Sequence, residues 1–252
     1  MRAMREGASD DRRAEWAAGS GPMREASWRL QVFEALDSTQ DLATRLAAAG
    51  EPAGLAVMAR RQTAGRGTQG RGWEGPAGNL ALSVLLRPHG PARLLPQYAL
   101  LAAVALHEAA SAHCHGLRLK WPNDLLRDGA KCAGILSEGH VAPDGGIAWL
   151  VQGFGVNLAH APEVPGRATA ALGAIESDTF ARALLDALAR WLLRARLEGF
   201  APIRAAWMAA GPEHGALLAV RQGAARLAGR YEGLAEDGGL LLATGGRVHA
   251  LH

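Results

Sequence analysis

Two lysines are the residues of this 252-residue chain whose type and spacing most suggest chemistry. Lys120 and Lys131 are the only lysines among 27 cationic side chains, and all the others are arginines. A lysine ends in a compact point charge on a flexible stem, whereas arginine presents a wide planar fork, so the two differ beside a small anionic centre. A coding bias toward arginine could leave two lysines by chance. Their shared segment, K-W-P-N-D-L-L-R-D-G-A-K, instead favours an anion-handling site.

Asparagine is similarly rare and similarly placed. Asn79, Asn123 and Asn157 are the only three, and each lies in or beside a loop marked by glycine or proline. Rare polar residues at turns between apolar runs are typical of a site built from loops on a rigid scaffold.

A glycine-rich loop from Ala64 to Gly78 contains a second candidate motif. Its letters G-R-G-T-Q-G match the dinucleotide fingerprint, but the following residues are too rich in glycine and proline to begin the helix that this motif requires. The backbone N–H groups, the guanidinium groups of Arg66 and Arg71 and the indole of Trp73 still suit the phosphates and base of a nucleotide. The alternative is a plain surface loop.

Composition and charge narrow the class of protein. An apolar content of 49% is enough for a large core, and the net charge of +3 comes from arginines dispersed along the chain. That dispersion predicts no nucleic-acid partner. The longest apolar stretch is too short to span a bilayer and no export pattern opens the chain, so we expect a cytoplasmic protein with no membrane partner. The two cysteines form no metal-binding pattern with the histidines.

Hydrophobic periodicity and turn signals predict strands and helices that alternate irregularly. Strands are expected near Leu30–Phe33 and over 55–60, 80–86, 117–120, 125–127, 132–138 and 147–156, with a hairpin at Asp128-Gly129. Helices are expected from a Ser38 cap to Gly50, from Pro96 to about Cys114, after a Ser177 cap and around 203–208. Strands that follow one another directly favour antiparallel pairing.

These elements predict an α+β fold with a mixed, largely antiparallel sheet flanked by helices. Residues 1–27 have the composition of a disordered tail. Residues 28–210 form the expected catalytic domain. Residues 211–252, with short strands and glycine-marked turns, predict a small SH3-like β-barrel that packs on it.

Six motifs together resemble the catalytic domain of biotin–protein ligases. They are D-S-T-Q, R-Q-T-A-G-R-G-T-Q-G-R-G-W, G-N-L-A-L-S, K-W-P-N-D-L, K-C-A-G-I-L-S-E and G-F-G-V-N-L, in this order from about Trp28 onward. The resemblance implies an enzyme that uses ATP and Mg²⁺ to activate biotin as biotinyl-5′-AMP. It then transfers biotin to a lysine of the biotin carboxyl carrier protein of acetyl-CoA carboxylase. The implied assembly is a monomer or weak homodimer.

The resemblance also implies a role for individual residues. Lys131 and Arg66 are the implied catalytic residues. The implied biotin contacts are Ser38, Thr39, Gln40, Gln62, Arg66, Gly67, Thr68, Lys131 and Gly134. The implied ATP contacts are Arg66, Arg71, Trp73, Lys120, Asn123, Asp124, Lys131 and Asn157, with Asn123 and Asp124 also facing Mg²⁺. Ser38 has an alternative role as a helix cap, and Gln62 as an exposed strand end.

Three other functions compete with this one. A lipoate or octanoate ligase or transferase of the same superfamily lacks the glycine-rich loop joined to K-W-P-N-D. A biotin-sensing repressor needs about 60 residues of helical pattern before the catalytic domain. A catalytically dead binding module does not explain both lysines. Two departures from the family pattern stand out: Thr68 occupies a position that is often basic, and the chain ends without the usual glutamate-containing strand.

Overall fold

A computed structural model of the chain describes Trp16 and residues 28–73, 75–222 and 225–252. The strands of the large sheet are β1 (Arg29–Phe33), β2 (Leu55–Ala59), β3 (Leu80–Leu86), β4 (Leu117–Lys120), β5 (Asp124–Arg127), β6 (Ala130–Val141) and β7 (Ile147–Val156). The helices are α1 (Thr39–Ala48), α2 (Leu95–Ser111), α3 (Ser177–Glu198) and α4 (Ala201–Ala210). A second sheet follows, with strands β8 (Leu217–Gln222), β9 (Ala225–Leu234), β10 (Leu240–Thr244) and β11 (Arg247–Leu251).

The large sheet has the order β1-β2-β3-β7-β6-β5-β4. Strands β1 and β2 are parallel because α1 crosses over between them, and the other pairs in the described residues are antiparallel. The hairpin between β5 and β6 turns at Asp128 (φ 49°) and Gly129 (φ 81°), as two-residue turns of this kind require. The predicted α+β class with a mixed, largely antiparallel sheet is confirmed.

Helices cover the two faces of this sheet unequally. On one face, Ala43 and Ala47 of α1 pack on Leu55, Val57 and other residues of a small core. On the other face, α2 and α3 bury the main core, which alternate residues of β2, β3 and β7 enter from the sheet. Helix α2 is almost wholly apolar, so it lies inside the protein, between the sheet and α3. The thinner α1 layer leaves part of its face of the sheet for a binding site.

The C-terminal strands form an open sheet, which corrects the prediction of a closed barrel. Their order is β11-β10-β9-β8, and the outer strands β8 and β11 do not pair with each other in the described residues. Closing four short strands would require a tilt and stagger that join those two edges. The sheet is covered instead by α4, since Tyr231, Leu234 and Leu242 share the main core with Ile203 and Trp207.

One of the two predicted helix caps is confirmed and the other is wrong. The Ser38 hydroxyl accepts a hydrogen bond from the Asp41 amide at 3.2 Å and so caps α1. Ser177, by contrast, is the first residue of α3; Glu176 is the cap residue, and neither side chain caps the helix. Because a serine can occupy either place, its position in the sequence could not decide between them.

Trp16 is the one described residue of the predicted tail, and the rest of residues 1–27 lies outside the described chain. The residue is 3% exposed, and its ring lies 4.4 Å from that of Tyr98, centroid to centroid. Its indole N–H donates to the Gln97 side chain at 2.7 Å. This residue therefore belongs to the core around α2. Across the described helices, none is both long and apolar enough to cross a membrane.

Replacing Arg87 with alanine should lower the free energy of unfolding by about 1.5–3 kcal/mol, the range for hydrogen bonds to a charged group. The Arg87 guanidinium donates to the carbonyl oxygens of Ala47, Glu51 and Ala148, and so joins the C-terminus of α1 to β7. Urea titration measures the change. Arg194→Ala, which removes an exposed ion pair within α3 and a contact with the Trp191 ring, is the control and should change stability by less than about 1 kcal/mol. Equal effects of the two variants would contradict this role.

Candidate active site

A cavity opens on the α1 face of the large sheet, beside the first turn of α1 and under the glycine-rich loop. Its wall is formed by side chains and backbone of α1, the loop, β3, β6 and β7. The lining residues are Thr39, Gln40, Gln62, Arg66, Gly67, Thr68, Trp73, Ser83, Asn123, Lys131, Gly134, Ile135, Leu136, Gly153, Phe154 and Gly155. One end is polar and lies against α1. The other contains Lys131 and Trp73.

Three glycines form the floor of this cavity. Gly134 of β6 is paired with Gly155 of β7, and Gly153 lies two residues earlier on the same face of β7. A Cβ atom at Gly153 would lie 2.5 Å from the Gln40 side-chain oxygen, and one at Gly155 would lie 2.2 Å from the Trp73 ring. Larger residues at these positions would therefore collide with Gln40 and Trp73, two of the side chains that line the cavity.

A β-bulge directs Lys131 toward this floor. In the pairing of β5 with β6, Leu126 is opposite Lys131 and Leu125 is opposite Ala133, so Cys132 is an extra residue. Without it, Lys131 and Gly134 would lie on opposite faces of β6, because side chains alternate along a strand. With it, the Lys131 ammonium lies 3.0 Å from the place of a Cβ atom on Gly134.

The Lys131 ammonium is largely buried and paired. It donates a hydrogen bond to the Asp124 carboxylate, and it lies 5.7 Å from the centroid of the Trp73 ring. Burial lowers the pKa of Lys131 below its ordinary value, although Asp124 opposes the shift. Burial of a charge is unfavourable, and the ion pair with Asp124 offsets part of that cost. A cation in such a place acts strongly on an anion that enters the cavity.

Hydrogen bonds connect the polar side chains at the α1 end. The Gln62 side-chain oxygen accepts from the Thr39 amide at 2.8 Å and lies 3.1 Å from the Thr39 hydroxyl. That hydroxyl is 2.9 Å from the Ser83 hydroxyl, which donates to the Gln40 side chain at 3.1 Å. These groups offer both donors and acceptors within one small region. They suit a neutral polar ring better than an ion.

Arg66 crosses from the glycine-rich loop to the body of the protein. Its guanidinium donates to the Asp41 carboxylate at 2.6 Å and to the two Glu138 carboxylate oxygens at 2.6 and 3.3 Å. Hydrogen bonds to both carboxylates raise the pKa of Arg66 further. A phosphate that binds Arg66 therefore has to compete with two carboxylates of the protein.

Comparison with known proteins decides the family. The model of the biotin/lipoate A/B protein ligase family matches residues 32–152. The biotin–[acetyl-CoA-carboxylase] ligase of Paracoccus denitrificans is 40% identical over 220 residues, which cover 82% of this chain and 90% of that protein. The chain belongs to the biotin/lipoate A/B protein ligase family. The bifunctional ligase/repressor BirA of Bacillus subtilis is 34% identical over 229 residues, covering 85% of this chain and 69% of BirA.

Solved structures of the family also share this fold. The biotin protein ligase from Aquifex aeolicus, in complex with biotin and ATP, superposes with a TM-score of 0.74 at 26% identity. The superposition covers 88% of this chain and 94% of the Aquifex protein.

Most residues that the sequence singled out lie together at the cavity of this family member. Those that line it are Thr39, Gln40, Gln62, Arg66, Gly67, Thr68, Trp73, Asn123, Lys131 and Gly134. Gln62 is thus part of a polar cluster, and Lys131 is largely buried at the cavity. Their individual contacts with ligands stay predictions.

Five other predicted site residues lie outside the lining. Asp124 is held behind the wall by Lys131, and the Ser38 hydroxyl is used by the α1 cap. The Arg71 guanidinium bonds to the carbonyl and hydroxyl oxygens of Thr68, within the loop. Lys120 is exposed at the end of β4. The buried Asn157 donates to the Ala170 carbonyl at 3.2 Å.

Several functional candidates were absent from the prediction. Ser83, Gly153 and Gly155 line the cavity, and Glu138 and Asp41 bind the guanidinium that crosses it. One signal was available in the sequence: two glycines spaced by two in G-F-G leave one face of a strand bare. The ion pairs of Arg66 had no local signal, since their partners lie 25 and 72 residues away.

Proposed function

We propose that this chain activates biotin with ATP to give biotinyl-5′-AMP and then transfers biotin to a lysine of a biotin carboxyl carrier protein. One observation carries the proposal: a single glycine-floored cavity has a neutral polar cluster at one end and a buried lysine beside an indole at the other. The named activities of the Paracoccus and Aquifex relatives support the same reaction.

The polar cluster suits the ring end of biotin. The ureido group has two N–H donors and one carbonyl acceptor, and Thr39, Gln40, Gln62 and Ser83 supply hydroxyl and amide partners for both. The ring would take up hydrogen bonds that the side chains now make among themselves. A lipoyl ring has no such donors and would leave buried polar groups unpaired, so the cluster favours biotin over lipoate.

The first step joins two anions. An oxygen of the biotin carboxylate attacks the α-phosphorus of ATP, the bond from that phosphorus to the bridging oxygen breaks, and pyrophosphate leaves. The polar side chains of Thr39, Gln40, Gln62 and Ser83 are called the ring cluster below. Lys131 is at the other end of the cavity, where its charge would reduce the repulsion between carboxylate and α-phosphate. Its bond to Asp124 orients the ammonium before the substrates bind. Trp73 would cover the nucleotide.

The second step transfers biotin from the anhydride. The acceptor's lysine amine attacks the carbonyl carbon of biotinyl-AMP, the bond to the phosphate oxygen breaks, AMP leaves and the amine loses a proton. No protein nucleophile is needed. The chain's task is to hold the anhydride in line and away from water.

The residues beside Lys131 fit a magnesium ion that arrives with ATP. Asn123 uses its side-chain nitrogen to donate to the Ile135 carbonyl, so its side-chain oxygen is the atom left to bind a cation. In the described part of the chain, no three His, Cys, Asp or Glu side chains cluster as a metal cage. Mg²⁺ is often bound by one or two protein oxygens together with substrate phosphates. Asn123, which lines the cavity, would hold it, whereas Asp124 is engaged by Lys131 outside the lining, and the ion would supply positive charge to the phosphates.

Incubation of the purified chain with biotin, ATP, Mg²⁺ and a biotin carboxyl carrier domain tests the proposal. Intact-mass spectrometry should show one biotinyl addition on the carrier, and a carrier with its acceptor lysine replaced by arginine should gain none. Lipoate in place of biotin should give no comparable product. Modification by lipoate alone would assign the chain to the other branch of its family.

The rate of biotinyl-AMP formation should fall at alkaline pH. The protonated form of Lys131 supplies the charge, and it is populated below the pKa of this residue, which burial lowers from the ordinary 10.5. Activity should therefore be present below that pKa and be lost as the pH rises through it. Single-turnover rates from pH 6 upward measure the profile. A profile that stays flat to pH 10.5 would contradict this role.

A further inference from the structure

Glu138, in the second half of β6, lies outside the cavity lining but contacts two residues that belong to it. Its carboxylate accepts two hydrogen bonds from Arg66, at 2.6 and 3.3 Å, and one from the Gln40 side-chain nitrogen at 2.9 Å. Arg66 belongs to the glycine-rich loop and Gln40 to the first turn of α1. Glu138 therefore joins the loop, the sheet and the ring cluster at one point.

This junction continues into the ring cluster. The Gln40 side-chain oxygen accepts from Ser83, whose hydroxyl contacts that of Thr39, which in turn lies beside Gln62. A ligand that reorders these side chains would act on Glu138 through Gln40. The charge of Glu138 would act in turn on the loop that covers the ligand.

Arg71, the other cationic residue of the loop, uses its guanidinium for hydrogen bonds to Thr68 inside the loop. Trp73 packs on the glycine floor through its ring. Arg66 is the loop residue whose charge is bound by carboxylates of α1 and β6. Of these two, Glu138 accepts from both terminal nitrogens and its side chain is 29% exposed, whereas Asp41 accepts one bond and is 48% exposed. Two-pronged pairs are stronger and more specific in geometry.

We propose that Glu138 is a positioning residue that holds Arg66, and with it the glycine-rich loop, closed over the reaction intermediate. Because this role concerns biotinyl-AMP, it rests on the proposed function. Its effect falls on retention of the intermediate, since Glu138 acts through Arg66 and not on the reacting atoms.

Glu138→Gln keeps the size of the side chain and an oxygen for Gln40, but it removes the charge. Release of biotinyl-AMP, followed by stopped flow with excess unlabelled biotin and ATP, should become about fivefold faster. The control is Asp178→Asn, which removes a two-pronged carboxylate partner of Arg60, at 2.7 and 3.4 Å, away from the cavity. The control should release the intermediate at the wild-type rate. Equal rates for Glu138→Gln and wild type would overturn the proposal.

A double-mutant cycle separates positioning from a general structural effect. If Glu138 acts through Arg66, adding Glu138→Gln to Arg66→Gln should change the release rate no further. Effects that multiply would mean that Glu138 acts elsewhere, and would also overturn the proposal. Salt should accelerate release from wild type more than from either single variant, because it weakens the ion pair.

Limited trypsin digestion tests the same attachment without any ligand. In Glu138→Gln, cleavage after Arg71 should be several-fold faster than in wild type or Asp178→Asn, because the loop opens more often. Unchanged cleavage would contradict the closed loop. A wild-type protein that forms no biotinyl-AMP would refute the proposed function, and loop cleavage alone would then decide the role of Glu138.

Discussion

Replacing Lys131 with alanine should lower the rate of biotinyl-AMP formation by about 10²- to 10³-fold, the range for removing one preorganised electrostatic group. The ammonium is buried beside Asp124 and Trp73 at the end of the cavity. Among the described side chains of the lining, Arg66 is the only other one with a positive charge. Biotin affinity should fall much less, since the proposed contacts with the biotin ring are made by Thr39, Gln40 and Gln62, at the other end of the cavity. Single-turnover formation of labelled biotinyl-AMP measures the rate.

Arginine at position 131 should not restore the rate. Its guanidinium keeps the charge but is wider than an ammonium. The lysine ammonium already lies only 3.0 Å from the place of a Cβ atom on Gly134, so little room is left for a larger group. The comparison variant is Lys120→Ala, at the exposed end of β4, which should lose far less activity than Lys131→Ala. Full activity of Lys131→Arg would mean that lysine is present by chance in a chain rich in arginine.

Replacing Gly153 with valine should weaken biotin binding about 10- to 100-fold, in line with the free energy of overpacking a filled site. The first added carbon alone would lie 2.5 Å from the Gln40 oxygen and 3.3 Å from the Ser83 hydroxyl. The ring cluster would be displaced and its space filled. Strands favour valine, so the fold should persist. Isothermal titration with biotin measures the dissociation constant.

Ala148→Val is the matched control for this substitution. It adds a valine to the same strand, β7, at a half-buried position outside the cavity lining. Biotin affinity should stay close to that of wild type. If Gly153→Val bound biotin as tightly as this control, the glycine floor would not be the ring site, and the polar cluster would need another ligand.

The order and type of the elements followed from the sequence because turn residues and apolar periodicity are local. Asp128-Gly129 specified its hairpin, and the long apolar run specified the buried α2. The closed C-terminal barrel was wrong for the opposite reason. Whether β8 meets β11 depends on pairing between distant strands, which the glycine turns do not encode.

The candidate site shows the same contrast between features with a local sequence signal and features that depend on distant residues. Lys131 and Trp73 were predicted from residue type and resemblance, but the bulge at Cys132 that turns Lys131 inward is a matter of strand register. Glu138 was within a recognised motif, yet its role depends on an arginine 72 residues earlier. The side chains proposed for the chemistry thus left a local signal, whereas those proposed to position them did not.

Biotin-dependent exchange of labelled pyrophosphate into ATP tests the central claim most directly, because it reports reversible biotinyl-AMP formation without an acceptor protein. The account predicts exchange that requires biotin, is absent with lipoate and falls by about 10²- to 10³-fold in Lys131→Ala. Exchange supported by lipoate but not by biotin, or equal exchange by wild type and Lys131→Ala, would contradict it.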